Sequence, residues 1–338
     1  MAGFAIQQRA LFKWLAVAAV VEWLLVRTFT RAAIHVPKSS FMISLYAAVN
    51  QIGLVAAAFV ALLAFVLLLG LAWQTRQAII LPLTLLGLAL LSVLFLFAVP
   101  PAWLAFTYQL LAILAVLLIA STGVWARRSE PEKKKGWQGT AVALFPAGAL
   151  LAGLLVQLLP NLHALLGWPG PPPFTNVLFN LGELFVVASV IIWWWASRSL
   201  NGRTHSWKPW LLAAFPALLF SLSFWRDPAM TGILTIWSTG LTLFLPWPVY
   251  ALALWLAGVT VLANWHSRPT LAYAILLLIA GGYVPQLSSQ LFCALIGLWL
   301  LQRPLCRNQA HPVQRRLSAS LPVESSTAFG KLKKTPTS

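Results

Sequence analysis

Residues 41–72 read FMISLYAAVNQIGLVAAAFVALLAFVLLLGLA, an uninterrupted stretch without one charged side chain. An α-helix rises about 1.5 Å per residue, so roughly 20 apolar residues cross the ~30 Å hydrocarbon layer of a bilayer. A run of this length and character predicts a membrane-spanning helix. Outward from it, similar runs occupy 11–34, 78–98, 102–125, 139–160, 174–197, 209–225, 230–265 and 270–302.

Composition points the same way. Apolar residues make up 60% of the 338 and charged ones 9%, with a mean hydropathy of +0.83, whereas an ordinary soluble domain carries about 25% charged residues. The expected fold is an all-α polytopic integral membrane protein. The first run contains Glu22 and is followed by Arg27 and Arg31, which does not fit the apolar core and small-residue cleavage site of a secretory signal, so it reads as a retained span.

The last two runs need division. Leu245-Pro246-Trp247-Pro248 interrupts 230–265, because each proline removes a helical donor; the run is expected to make one net crossing with an irregular outer third. Gly281-Gly282-Tyr283-Val284-Pro285 reads as a turn that splits 270–302 into spans 270–283 and 286–302. Each of these would be short for a bilayer and would require local thinning. The total is ten spans, with nine as the alternative, arranged largely as hairpins. A spacing of 70 residues links Phe145-Pro146-Ala147 to Phe215-Pro216-Ala217, and Trp125, Trp195 and Trp265 each precede an Arg by three positions. This is either a duplicated hairpin or the ordinary recurrence of interfacial Trp and cytosolic Arg.

Lys and Arg outnumber Asp and Glu by 23 to 6, a net charge of +17. The basic connectors 127–135, 198–208 and 266–268 are expected to face the cytoplasm, which puts both ends of the chain on that side and leaves only Arg27, Arg31, Lys38 and Arg226 outside. The basicity is thus a topology signal of a plasma (inner) membrane protein and calls for no nucleic-acid partner. Residues 303–338, rich in Ser, Thr, Pro and basic side chains, read as a disordered cytoplasmic tail.

Ionised groups within a bilayer cost at least ~2.5–3.5 kcal/mol at a helix centre, so those retained face a bundle interior or a wet cavity. Glu22 and Glu183 are the acidic residues within spans. Asn176, Asn180 and Glu183 follow an i, i+4, i+7 spacing that lines one helix face. Asn50 and Gln51 are expected at a similar depth on the second span, and Arg27, Arg31 and His35 form a stripe at the outer end of the first. These residues predict a polar layer in the outer half of the membrane, with Glu22 and Glu183 as partners for Arg27 or Arg31. Its functional reading is a cavity that holds a solute or relays a proton, and its structural reading is interhelical ion pairs and amide bonds.

Other chemistries lack their parts. The five histidines fall at helix ends, loops or the tail, unlike the facing buried ligands of a membrane haem. Cys293 and Cys306 are not expected to form a disulfide or a metal site. There is no Gly-x-x-x-x-Gly-Lys-Ser/Thr, His-Glu-x-x-His or Gly-x-Ser-x-Gly. The predicted outer loops offer only Asp227 as an acid, which disfavours a metal-dependent transferase. The 18 Trp fit interfacial girdles, with stacking on a lipid, sugar or pigment as the alternative.

The leading expectation is a secondary transporter or permease-like protein for a small or amphipathic solute, using no cofactor and no metal, with the lipid bilayer as its partner. The alternatives are an enzyme acting on a lipid-linked substrate at the outer leaflet, and a non-catalytic membrane subunit. Topology is directly testable: an epitope tag after Ser338 should be digested by protease in inside-out vesicles and protected in right-side-out vesicles. The reverse pattern would invert the orientation.

Overall fold

A computed structural model of the chain describes residues 2–23, 39–74, 79–97, 101–128, 137–169, 185, 188–195, 207–221, 246–281 and 288–307. Within these residues the regular structure is entirely helical, without strands. In chain order the helices are α1 (Ala2–Trp23), α2 (Ser40–Gln74), α3 (Ile80–Phe97), α4 (Ala102–Arg128), α5 (Trp137–Leu165), α6 (Lys208–Ser221), α7 (Pro246–Asn264), α8 (Pro269–Gly281) and α9 (Ser288–Arg307). A short helical stretch at 188–195 lies between α5 and α6 in sequence.

Prolines and one glycine set several helix ends. Pro246 and Pro269 open α7 and α8, where a missing N–H interrupts no helical bond. Pro101 stands before α4, and its carbonyl accepts a hydrogen bond from the Leu104 N–H at 2.9 Å. After α5, Gly167 adopts a left-handed φ of 64°, which turns the chain out of the helix at little steric cost. Pro146 and Pro216, the prolines of the 70-residue spacing, both lie inside helices, in α5 and α6.

The segments Ile43–Trp73, Ala102–Val124 and Leu144–Leu165 are helices long and apolar enough to cross a membrane. Ile80–Phe95, Pro248–Asn264, Pro269–Gly281 and Ser289–Gln302 are apolar but shorter. On α2, Val60, Ala64, Leu68 and Leu71 form a buried stripe, while Ile52, Val55, Phe59, Leu62 and Val66 form an exposed one with the same helical spacing. Both faces are apolar. Leaving such a stripe in water forfeits about 25 cal/mol per Å² of apolar area, so the arrangement suits a hydrocarbon surrounding.

The centre of the bundle is the pair α8 and α9. Every residue from Ser289 to Gln302 is buried, as is every residue from Leu271 to Gly281 except Leu276. α9 packs against α1, α2, α3, α4, α5 and α8; α8 also meets α1 and α7, and α7 carries α6. The sequence reading expects a thinned bilayer around these two short passes. In the structure the side chains of these two short helices meet other helices of the bundle.

The two central backbones approach closely. A Cβ built on Gly281 would lie 2.6 Å from the Gln290 carbonyl oxygen and 2.7 Å from Ala294 Cα. One built on Gly297 would lie 2.8 Å from Leu278 N and 2.9 Å from Ala274 O. Only glycine fits at either crossing, the small-residue packing by which helices associate when hydrophobic burial alone cannot choose partners.

One boundary differs from the sequence reading. Arg303–Arg307, read as the start of a disordered tail, continue α9; cations in a last helical turn are favoured by the partial negative charge of the helix C-terminus. α7 begins at Pro246, and residues 230–245 lie outside the described residues, as do 308–338.

Replacing Gly281 or Gly297 with Leu should destabilise the bundle by at least the ~1–3 kcal/mol typical of overpacking. The measurement is loss of the monodisperse peak of detergent-solubilised protein after graded heating. Gly70→Ala, where the added Cβ meets nothing within 4 Å, should be neutral or stabilising.

Candidate functional site

Glu22 is the one acidic residue among the described residues. It lies near the end of α1, which packs against α2, α8 and α9, and this places it in the bundle interior at 4% exposure. Its carboxyl group is near enough to the buried free thiol of Cys293 on α9 to interact with it electrostatically. Beside Cys293, Phe292 meets Phe65 of α2 with ring centroids 5.7 Å apart. Three helices therefore converge at this level.

One turn closer to the start of α9 are Ser289 and Gln290, each 3% exposed. At 100° per residue, Ser289 and Gln290 lie about 40° and 60° to either side of Cys293 around the helix, so all three share one broad face. The Ser289 Oγ and the Gln290 Oε1 are buried without a hydrogen-bond partner. Such atoms cost about 1–3 kcal/mol each unless water or a ligand completes them.

A second polar cluster joins two helices through an amide matched at both ends. Gln109 of α4 donates from Nε2 to the Leu154 carbonyl of α5 at 2.9 Å, and its Oε1 accepts from Asn161 Nδ2. Pro160 sits between these α5 partners and leaves the Val156 carbonyl without its helical donor, which loosens the ladder locally. Tyr108, next to Gln109, stacks its ring on Phe95 of α3 at 5.4 Å. Here the geometry is that of an interhelical clamp. At the other end of α4, Thr122 Oγ1 lies 3.4 Å from Gln302 Oε1, and the Gln302 side chain covers Gly123.

The candidates read from sequence are distributed unevenly. Glu22 is in the interior. Asn50 lies on α2, and the neighbouring Gln51 is exposed. Gln51 is 14 residues from Phe65, about 21 Å along the helix; Glu183, whose depth it was expected to share, lies outside the described residues. Arg27, Arg31, His35, Asn176, Asn180, Glu183 and Asp227 lie outside the described residues.

Ser289, Gln290 and Gln109 were not among those candidates. Gln109 and the Gln157/Asn161 pair, one helical turn apart inside apolar runs, carried the only sequence signal for the clamp. Three tryptophans also take a role of their own. Trp194, Trp210 and Trp255 meet edge to face, with centroids 6.1 and 5.4 Å apart, and Trp255 Nε1 donates to the Trp210 carbonyl at 2.8 Å. They pack on one another, joining the 188–195 stretch to α6 and α7. Among the described residues no group of three His, Cys, Asp or Glu is placed to hold a metal.

Compared with known protein families, with characterised proteins and with solved structures, the chain matches none. The functional reading therefore rests on the geometry. For the clamp, a double-mutant cycle of Gln109→Leu and Asn161→Leu should show a coupling of about 0.5–2 kcal/mol, the scale of interhelical hydrogen bonds in membranes. It is measured as the shift in unfolding midpoint in mixed micelles; additive effects would remove the clamp.

Proposed function

We propose that this chain is a multi-pass plasma-membrane protein, with both ends cytoplasmic, that acts as a secondary transporter or permease for a small or amphipathic solute. The observation that carries the reading is the Glu22 carboxyl, buried in the bundle interior on α1 and near enough to Cys293 of the central helix α9 to interact with it electrostatically. A carboxylate in the interior of an apolar bundle is costly to keep, and such residues mark ion or proton paths. On the same central helix, the Ser289 and Gln290 oxygens left without protein partners suit a site completed by a mobile occupant.

The apolar outer faces of α2 and α3 support the membrane reading, and the 19 basic residues on the predicted cytoplasmic side against 4 outside support the orientation. In this scheme Glu22 binds the coupling proton or cation. Glu183, with Asn180 and Asn176 on its face and Arg27 as the partner for an anion, forms the second candidate locus of the pathway.

The test is solid-supported-membrane electrophysiology on reconstituted protein, challenged with panels of amino acids, sugars, organic cations and organic anions. One class should give a transient current that Glu22→Gln reduces at least tenfold without loss of the folded, monodisperse protein. Glu183→Gln should do the same if that face lines the path. No current with any class, or a current unchanged by Glu22→Gln, would overturn the assignment in favour of a non-transporting membrane subunit.

A further inference from the structure

Helices α4 and α9 end side by side. The Gln302 side chain of α9 lies against Thr122 and Gly123 of α4, and α4 packs against α9, whose enclosed part is Ser289–Gln302. Beyond this contact five residues carry α4 from Gly123 to Arg128, and five carry α9 from Gln302 to Arg307, each about 7.5 Å by helical rise.

The start of α8 lies at the same end. Its Ala274 and Leu278 meet Gly297 of α9 while its Gly281 meets Gln290 and Ala294, so the two helices run antiparallel. Arg268, exposed just ahead of α8, comes eight residues before the midpoint of Ala274 and Leu278, about 12 Å by helical rise. On α9 the same ~12 Å from Gly297 falls between Arg303 and Arg307. Arg127, Arg128, Arg268, Arg303 and Arg307 therefore gather at one end of the bundle. The one acidic residue among the described residues, Glu22, is buried. In sequence, the segment after Arg128 adds Lys133, Lys134 and Lys135 against Glu130 and Glu132.

An apolar track leads to this end. On α4, Leu110, Leu114, Leu117 and Ser121 are exposed at helical spacing along one face, and Arg128 falls two turns further on the same face. Leu117 precedes Arg128 by 11 residues, about 16 Å, or half of the ~30 Å hydrocarbon layer. That is the depth of one leaflet's acyl chains. A soluble anion would use the charges alone, whereas a phospholipid uses both the charges and the track. The sequence reading also turns this end to the cytoplasm, where anionic lipids give the membrane surface a negative potential.

We propose that the end of the bundle shared by α4, α9 and the start of α8 binds an anionic phospholipid, its phosphate among the arginines and its chains along the exposed face of α4. Arginine suits a phosphate because its planar guanidinium donates two parallel hydrogen bonds. A cation beside an anionic headgroup contributes about fivefold in affinity, so removing two together should cost at least tenfold at low salt.

The test titrates a chain-labelled phosphatidylglycerol and the matched phosphatidylcholine with detergent-solubilised full-length protein, reading fluorescence anisotropy. Phosphatidylglycerol should bind at least tenfold more tightly. Arg128→Gln with Arg268→Gln should remove at least tenfold of that affinity and leave phosphatidylcholine unchanged. Lys38→Gln with Arg226→Gln, an equal loss of charge on the predicted opposite side, should change neither, and Leu117→Gln should weaken phosphatidylglycerol several-fold.

Equal affinity for the two lipids, or a preference untouched by the arginine pair, would overturn the site. Equal losses in the control pair would do so too, since net charge would then be acting in place of a site. Displacement by a comparable concentration of glycerophosphoglycerol, the headgroup without chains, would overturn the lipid as occupant in favour of a soluble anion. Should the arginine pair fail to fold, the unaltered protein at about 50 and about 500 mM salt is the second check: the preference should largely vanish at high salt, and its persistence would overturn the role of the arginines. Lipid binding needs no solute, so its outcome and that of the transport assay are read separately.

Discussion

The contact between α8 and α9 at Gly281 and Gly297 is the constraint on which the rest of the bundle depends. Without side chains at those two positions, the backbones come close enough to interlock, and the pair becomes a core around which six other helices arrange. Hydrophobicity cannot select this pairing, because every surface on offer is apolar and lipid tails are equally apolar. Shape does the selecting, through dispersion contacts that accumulate only where the fit is close.

Polar groups in such a setting fall into two kinds. Gln109 uses both ends of its amide on α5, and the result is a fixed joint between α4 and α5. Ser289 and Gln290 of α9 each leave a buried oxygen unmatched, a cost that water or a ligand would remove.

The sequence carried the helical class and the apolar runs plainly, since the stretch around Phe41–Ala72 admits no other reading. It also marked Glu22 as a residue that must face inward. What it could not carry was rotational phase. Val55 and Val60 are equally apolar, yet one is exposed and the other buried, and no polar face exists to orient the helix. Ser289 and Gln290, at the start of the span read over 286–302, stand out only once α9 is seen to be enclosed from Ser289 onward. The tryptophan trio was equally hidden, since Trp194, Trp210 and Trp255 are far apart in sequence and only the packing of their helices brings them edge to face.

The enclosed position of α8 and α9 also bears on how the molecule is assembled. Among the described helices these two come last in the chain, so α1 to α7 emerge from the ribosome before their common core exists. Until Pro269 and the residues after it are made, Leu15, Leu68, Leu85 and Ile119, all fully buried in the finished bundle, lack the pair at the bundle's centre. The earlier helices then admit a hairpin into their midst rather than add it at their edge, and the chain is open to misassembly and proteolysis until α8 and α9 have docked.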